Sequence, residues 1–344
     1  MAFECNPGML MVSAYPSFAS RLTQTVIATA LFSSVVWMTT ADAGPLSIAL
    51  PGARAFPESI TSARDGTLFI GRLGDGGIIR ANPRTGKASL FVAPGASGSR
   101  SITGVFADEA SKTLWACSND LSALGGPSGG RDRGSALKGF DLRTSAPKLS
   151  VPLPGPNAFC NDIAVDARGA VYVTDSAAPN VLRLPARASA FEVFASNPQF
   201  LPPKAGSAGL DGIAFGGDGN LYVTTYAAGS LFRIEVDHGR AGRVTKLLGA
   251  PLTLPDGLRS LGRRRFLLVE GAGTLDRVDI EGDGFKAAPI RGGFRTPTSV
   301  TRVGSTAWVS EGQVSFFFDR SRKGQSPALP FRIYAVPLSK GETQ

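Results

Sequence analysis

The sequence predicts an all-β protein, a six-bladed β-propeller with four-stranded antiparallel blades. Three observations carry that expectation. A short phrase recurs six times, its copies beginning Glu58-Ser-Ile, Thr103-Gly-Val, Asn161-Asp-Ile, Asp211-Gly-Ile, Asp256-Gly-Leu and Thr298-Ser-Val. The copies are spaced at roughly 42–58 residues, the length of one four-stranded blade. Each is followed about ten residues later by an apolar run such as Leu68-Phe-Ile, Val171-Tyr-Val or Leu221-Tyr-Val, as a second strand follows a hairpin. Gly and Pro are abundant, at 42 and 24, and no long apolar stretch keeps a helical period.

Residues 1–43 read as an export signal. Arg21 precedes an apolar stretch over 26–38, and Ala41-Asp-Ala43 supplies the small-x-small pattern of a signal peptidase site. The stretch is short for a membrane span, and no later segment reaches about 18 uninterrupted apolar residues. Residues 44–344 are therefore expected to form one exported propeller domain, periplasmic or secreted, with no membrane span after cleavage. An uncleaved anchor is the other reading.

The best-formed blade begins at Asp211. Its inner strand is expected over 213–215, a hairpin at Gly217-Asp-Gly-Asn220, and further strands over 221–226, 231–236 and 243–248. Residues 46–50 should close the ring as the outer strand of the blade that contains 331–336. Up-down-up-down order then assigns faces. The six phrase heads, the ends of the second strands (Asn119-Asp120, Asp175-Ser176, Thr225-Tyr226, Glu270, Glu311) and the connections between blades share one face, called top here. The Gly-rich insert 123–135 and the Pro-rich stretch 200–208 fall in top loops, where they would shape a pocket mouth or be disordered excursions.

The formal charge of +9 is spread singly through turns, with Arg263-Arg264-Arg265 as the one cluster. It suits a solubilising surface, or attraction to an anionic envelope or substrate. No basic helix and no interleaved aromatic and basic platform points to nucleic acid. A closed ring leaves few exposed strand edges, so a monomer is expected. Cys117 and Cys160 lie near the axial ends of neighbouring blades; an exported chain permits a bridge between them, two buried thiols being the alternative. The single histidine, His238, falls in a third hairpin on the bottom face. That removes mechanisms built on histidine, Ser-His-Asp triads included, and leaves Cys160 without a base.

At the axis Glu58, Asn161, Asp211 and Asp256 converge. Three carboxylates so close repel in a partly desolvated funnel, and a divalent cation resolves the conflict. All-oxygen donors select a hard ion, Ca²⁺ first, then Mg²⁺ or Mn²⁺, with Zn²⁺ less natural. Thr103 and Thr298 complete the ring with hydroxyls suited to water or substrate. The competing reading makes each acid before glycine a turn residue. It covers Asp211 and Asp256 but not Glu58, after Pro57, or Asn161, before Asp162. Asp162 itself is off-phase and reads as a hydrogen-bonder at the strand start.

Phe56-Pro-Glu-Ser-Ile60, Asn161-Asp-Ile-Ala-Val-Asp-Ala-Arg-Gly-Ala-Val-Tyr-Val-Thr-Asp175, Asp211-Gly-Ile-Ala-Phe-Gly-Gly-Asp-Gly-Asn-Leu-Tyr-Val223 and Leu254-Pro-Asp-Gly-Leu258 resemble the senescence marker protein/gluconolactonase/luciferin-regenerating enzyme family. The resemblance implies a six-bladed propeller with one catalytic divalent metal in its tunnel, the ligands falling on Glu58, Asn161, Asp211 and Asp256. The leading expectation is metal-dependent hydrolysis of a lactone or related ester, with Asp256 as general base for the attacking water, the direct nucleophile being the alternative. Two positions depart from the family. Asp211 stands where Asn is usual, and Phe159 stands where sugar-lactonase members often carry Arg. An apolar residue there points to a less polar substrate; Arg72, after the second strand of blade one, is the candidate replacement guanidinium. Phe159 and Tyr226 would shape the pocket with the top loops. Two readings compete, a paraoxonase-like or phosphotriesterase-like hydrolase and a non-catalytic exported binding propeller.

Overall fold

Six four-stranded antiparallel sheets follow one another along the chain. The computed structural model describes residues 44–127, 134–322 and 324–343, so the expected export signal and residues 128–133 of the Gly-rich insert lie outside the described residues. The inner strands of blades one to six are Pro57–Ser62, Ser101–Asp108, Cys160–Val165, Leu210–Phe215, Pro255–Gly262 and Pro297–Val303. Ser47–Ala49 pairs antiparallel with Arg332–Pro337 and completes the sixth blade from the N-terminal side, which locks the ring as the sequence predicted.

Burial falls from axis to rim. The second strand Val171–Asp175 is buried throughout, whereas the outer strand Arg240–Lys246 is mostly exposed. Apolar side chains on the strand faces meet between blades, and the hydrophobic clusters follow the six seams. Aromatic pairs key several seams. Phe56 and Phe331 close the ring at 4.8 Å, Tyr172 meets Phe215 at 5.2 Å, and Tyr222 meets Phe266 at 4.8 Å. Such pairs add to plain area burial.

In blade four the outer strand runs from Arg240 to Lys246, earlier than the expected 243–248. Asp237 pairs with Arg240, so the two-residue loop His238-Gly239 turns the chain at once. Leu248 then leaves the blade and bridges to Gly284 in the next. Cys117 and Cys160 form a disulfide with Cα atoms 5.2 Å apart, which ties the second strand of blade two to the start of the inner strand of blade three. Among the described residues no helix is long and apolar enough to cross a membrane.

Candidate active site

Each inner strand breaks register with its neighbour at the phrase head. The shifts fall between Pro57 and Ile60, Ile102 and Val105, Cys160 and Ile163, Leu210 and Ile213, Pro255 and Leu258, and Pro297 and Ser299. A β-bulge re-aims the side chain it carries, and here six of them place Glu58, Thr103, Asn161, Asp211, Asp256 and Thr298 about the axis. In three blades the entry is a residue with positive φ followed by proline, at Phe56, Leu254 and Thr296 (φ 39°, 57° and 50°). The glycine after a head is a packing device rather than a turn. A Cβ on Gly104 would collide with the Asn161 carbonyl, and one on Gly212 with the Asp256 carbonyl. The turn reading of Asp211 and Asp256 therefore fails, because both Asp-Gly pairs lie inside strands.

Second strands brace the heads. Thr174 Oγ1 donates to the Asp211 carbonyl at 2.6 Å and accepts from Asp162 N at 3.0 Å. Asp175 accepts from Phe159 N at 2.9 Å, Asn119 Oδ1 from Cys160 N at 3.0 Å, and Glu311 from Arg295 N at 2.7 Å. Glu270 accepts from Thr253 N. The top-face acids at strand ends thus hold loop backbone. The threonine heads are committed in the same way: Thr103 Oγ1 donates to Cys160 O at 2.7 Å, and Thr298 Oγ1 to Pro57 O at 2.9 Å. Their hydroxyl protons stitch neighbouring blades rather than wait for a ligand.

The three carboxyl heads and the Asn161 amide are all buried. They surround a chamber of about 10 Å³, floored by Ser59, Asp162, Gly257 and Ser299 and sized for one water or ion. Asn161 Nδ2 donates to Ser176 Oγ at 2.9 Å and to Asp211 Oδ2 at 3.2 Å, which fixes the amide orientation. Asp211 Oδ1 is buried with no hydrogen-bond partner. Burial, then the nearby Asp211 and Asp162 charges, raise Glu58 well above the usual carboxylate range, although Arg259 opposes the shift. Burial also raises Asp256 well above its usual range, with Asp211 and Glu58 adding to it. Asp211 is pushed up to about 8, chiefly by burial. The cluster thus holds protons that a cation would displace.

The donor set suits a hard divalent ion: three carboxyls, one of them with an unpartnered oxygen, and one amide oxygen around a single-ion chamber. Among the described residues no three His, Cys, Asp or Glu side chains already stand where they could hold a metal. The fit is therefore one of chemistry and charge.

Below the heads lies an ion pair that sequence reasoning missed. Arg259 reaches across the channel from blade five and grips Asp162 of blade three through both nitrogens, at 2.7 and 3.0 Å. Asp162 also accepts from Ile213 N at 3.3 Å, so the expected hydrogen-bonding role holds but is the smaller part. The repeat contained the signal. In the column three residues after each head stand Thr61, Phe106, Ala164, Ala214, Arg259 and Thr301, where Arg259 alone is charged.

Above the heads opens a cavity of about 700 Å³. Of the expected pocket residues it is lined by Thr103, Phe159, Tyr226 and Thr298, with Glu58, Asn161, Asp211 and Asp256 at its base. Arg72 does not line it. Its guanidinium is held by Asp75, three residues on, and cannot replace the guanidinium missing at Phe159. The short helix Ser315–Phe318 contributes a wall that sequence reasoning did not foresee, because that segment lies outside the repeat. His238 is exposed beside Asp237, in the bottom hairpin and away from the cavity.

This architecture defines a class: a six-bladed propeller with an acidic axial site at the base of a top-face cavity. No family model matches the sequence, and no curated protein matches it. Solved structures do match by fold. A gluconolactonase from Xanthomonas campestris has a TM-score of 0.57 at 16% identity, over 87% of this chain and 88% of that one. Regucalcin from Agrobacterium tumefaciens, a calcium-binding protein, has a TM-score of 0.57 at 15% identity, over 85% and 97%. A virginiamycin B lyase from Staphylococcus aureus has a TM-score of 0.56 at 14% identity, over 85% and 98%. The fold implied by the family resemblance is the fold these neighbours share with the chain.

Proposed function

We propose that this chain hydrolyses a lactone or related ester with one divalent cation, held by Glu58, Asn161, Asp211 and Asp256. Ca²⁺ is the first candidate, with Mg²⁺, Mn²⁺ and Zn²⁺ as alternatives. The observation that carries the proposal is the buried, mutually repelling carboxyl set at the base of an open cavity, with Asp211 Oδ1 unpartnered. When bound, the ion would offset those charges and polarise a carbonyl. The remaining work belongs to the chain. Asn161 is locked by Ser176 and Asp211 so that its amide oxygen is left to act as a donor atom. Asp256, once deprotonated, would take the proton of the attacking water at a carboxylate oxygen. Burial and the three carboxyls keep the Tyr226 phenol protonated, so it can donate a hydrogen bond to a substrate oxygen.

The structural neighbours span several activities, so the choice among them rests on the site. One S. aureus lyase structure is of a catalytically inactive histidine-to-alanine variant. The only histidine here is exposed and outside the cavity, which disfavours a lyase of that kind. The proposal includes export by residues 1–43 to the periplasm or medium, where an oxidising compartment suits the Cys117–Cys160 bridge. It also includes a monomer acting on a small molecule, with no nucleic-acid partner. The test is lactone and ester hydrolysis by the wild type and Asp256→Ala, each stripped with chelator and repleted. The expected result is a loss of at least about 100-fold in kcat for the variant or on stripping. Full rates in both would remove the axial metal and Asp256 from the mechanism; no turnover of any lactone or ester would remove the hydrolase and favour a binding propeller; faster phosphotriester than lactone turnover would move the assignment to a phosphotriesterase.

A further inference from the structure

The cavity above the heads divides by chemistry. Its base carries Glu58, Asn161, Asp211 and Asp256, whereas Leu121, Phe159, Leu254, Val314 and Phe318 supply its sides. These five come from four segments: the loop after Asn119, the approach to Asn161, the approach to Asp256, and the stretch Val314 to Phe318. An apolar wall built from so many segments is a feature of the site rather than of one strand. Phe318 and Leu254 are 40% and 37% exposed, so apolar surface continues to the mouth. Among the described residues no Lys, Arg or His lines the cavity, and Asp319 adds a further acid near its edge.

Polyhydroxylated substrates need polar partners around the ring, because each buried hydroxyl left unpaired is costly. Here the sides offer only scattered hydroxyls, Ser207, Thr296 and Ser315 among them, between the apolar side chains. Tyr226 OH has no hydrogen-bond partner among the described residues, and both threonine heads donate to backbone. Even with a divalent cation bound, the three carboxylates at the base and Asp319 leave the cavity net anionic, so an anionic substrate is disfavoured. The volume falls within the range of pockets that hold drug-sized ligands, more than a bare lactone ring would fill.

We infer that the substrate is an uncharged ester or lactone carrying an apolar substituent, a medium-length alkyl chain or an aromatic ring. The substituent lies between Phe159, Val314 and Phe318 while the carbonyl faces the acidic base. This rests on the hydrolase reading and narrows it. Each methylene moved from water to this wall should raise kcat/KM about fourfold until the cavity is full.

The test is the kcat/KM series γ-butyrolactone, γ-octalactone and γ-decalactone, beside glucono-δ-lactone and a carboxylate-bearing γ-lactone, for wild type and Phe318→Asp. Phe318 is partly exposed, so its replacement spares the core. The expected result is a rise along the alkyl series, with the gluconolactone and the anionic lactone poorest. Phe318→Asp should narrow the decalactone-to-butyrolactone ratio at least about threefold. A flat series, a preference for gluconolactone or the anion, or an unchanged ratio in the variant would overturn the inference while leaving the hydrolase intact. If no lactone is turned over, the hydrolase reading fails and calorimetric binding of the same compounds decides the ligand class. Tighter binding of γ-decalactone than of gluconolactone supports it; the reverse order, or no binding, overturns it.

Discussion

Two charged groups occupy successive levels of the axial channel, and the chain treats them in opposite ways. At the lower level Asp162 and Arg259 neutralise one another through a bidentate contact, with side chains only 6% and 12% exposed. At the upper level Glu58, Asp211 and Asp256 have no cation of their own, and all three are raised towards the protonated form. A buried pair whose two charges cancel is part of the scaffold, even though Arg259 Nε is left without a hydrogen bond. A buried acidic cluster whose charges do not cancel is a site prepared for something else.

The largest effect should come from breaking the lower pair. Arg259→Met leaves Asp162 charged and alone in the channel, at a cost of about 3–5 kcal/mol. Adding Asp162→Leu should return most of that stability, because the pair is then replaced by packed apolar groups. Chemical denaturation of the single and double variants checks this. A destabilised double variant would show that Asp162 does more than pair with Arg259.

The upper level predicts a dependence on pH. Asp211 has a folded value of about 8 against an ordinary 3.8. An acid raised on folding contributes stability that is present below its unfolded value and lost as pH rises through its folded one. The metal-free chain should therefore lose stability between about pH 4 and pH 8. Saturating Ca²⁺, at roughly 100 times its Kd, should add about 2.7 kcal/mol near pH 8. Asp211→Asn should flatten the metal-free slope. Thermal melts across pH, with and without Ca²⁺, measure both. A metal-free chain that gains stability over that interval would contradict the electrostatic picture.

The smallest effect is expected at His238, which is exposed on the opposite face. His238→Ala should stay within about 0.5 kcal/mol of wild type and leave turnover unchanged. A large loss of activity there would move the chemistry off the axis altogether.

The ring and its six heads were legible because a blade repeat writes the same strand order and the same axial position six times. Glu58 and Asn161 stood out because neither fits a glycine turn. The bulges that aim the heads were not legible, since a one-residue register shift leaves little mark on composition. Arg259 was missed because its partner lies two blades away, although its charge is anomalous within its repeat column. Arg72 was misplaced for a local reason: Asp75 captures it, and loop conformation decides that contact. The apolar wall at Val314 and Phe318 lies outside the repeat, where periodicity carries no information. The Cys117–Cys160 bridge was open between two readings and is formed, because the start of blade three brings Cys160 against Cys117 in blade two.

The central claim is that the upper acids are arranged for a divalent cation. Calorimetric titration of Ca²⁺ into chelator-stripped protein tests it most directly, with Glu58→Ala alongside and two buffers of different ionisation heat. The account predicts about one ion per chain, protons released on binding, and affinity lost by at least about 100-fold in the variant. No binding of Ca²⁺, Mg²⁺, Mn²⁺ or Zn²⁺, or binding that Glu58→Ala leaves unchanged, would contradict it.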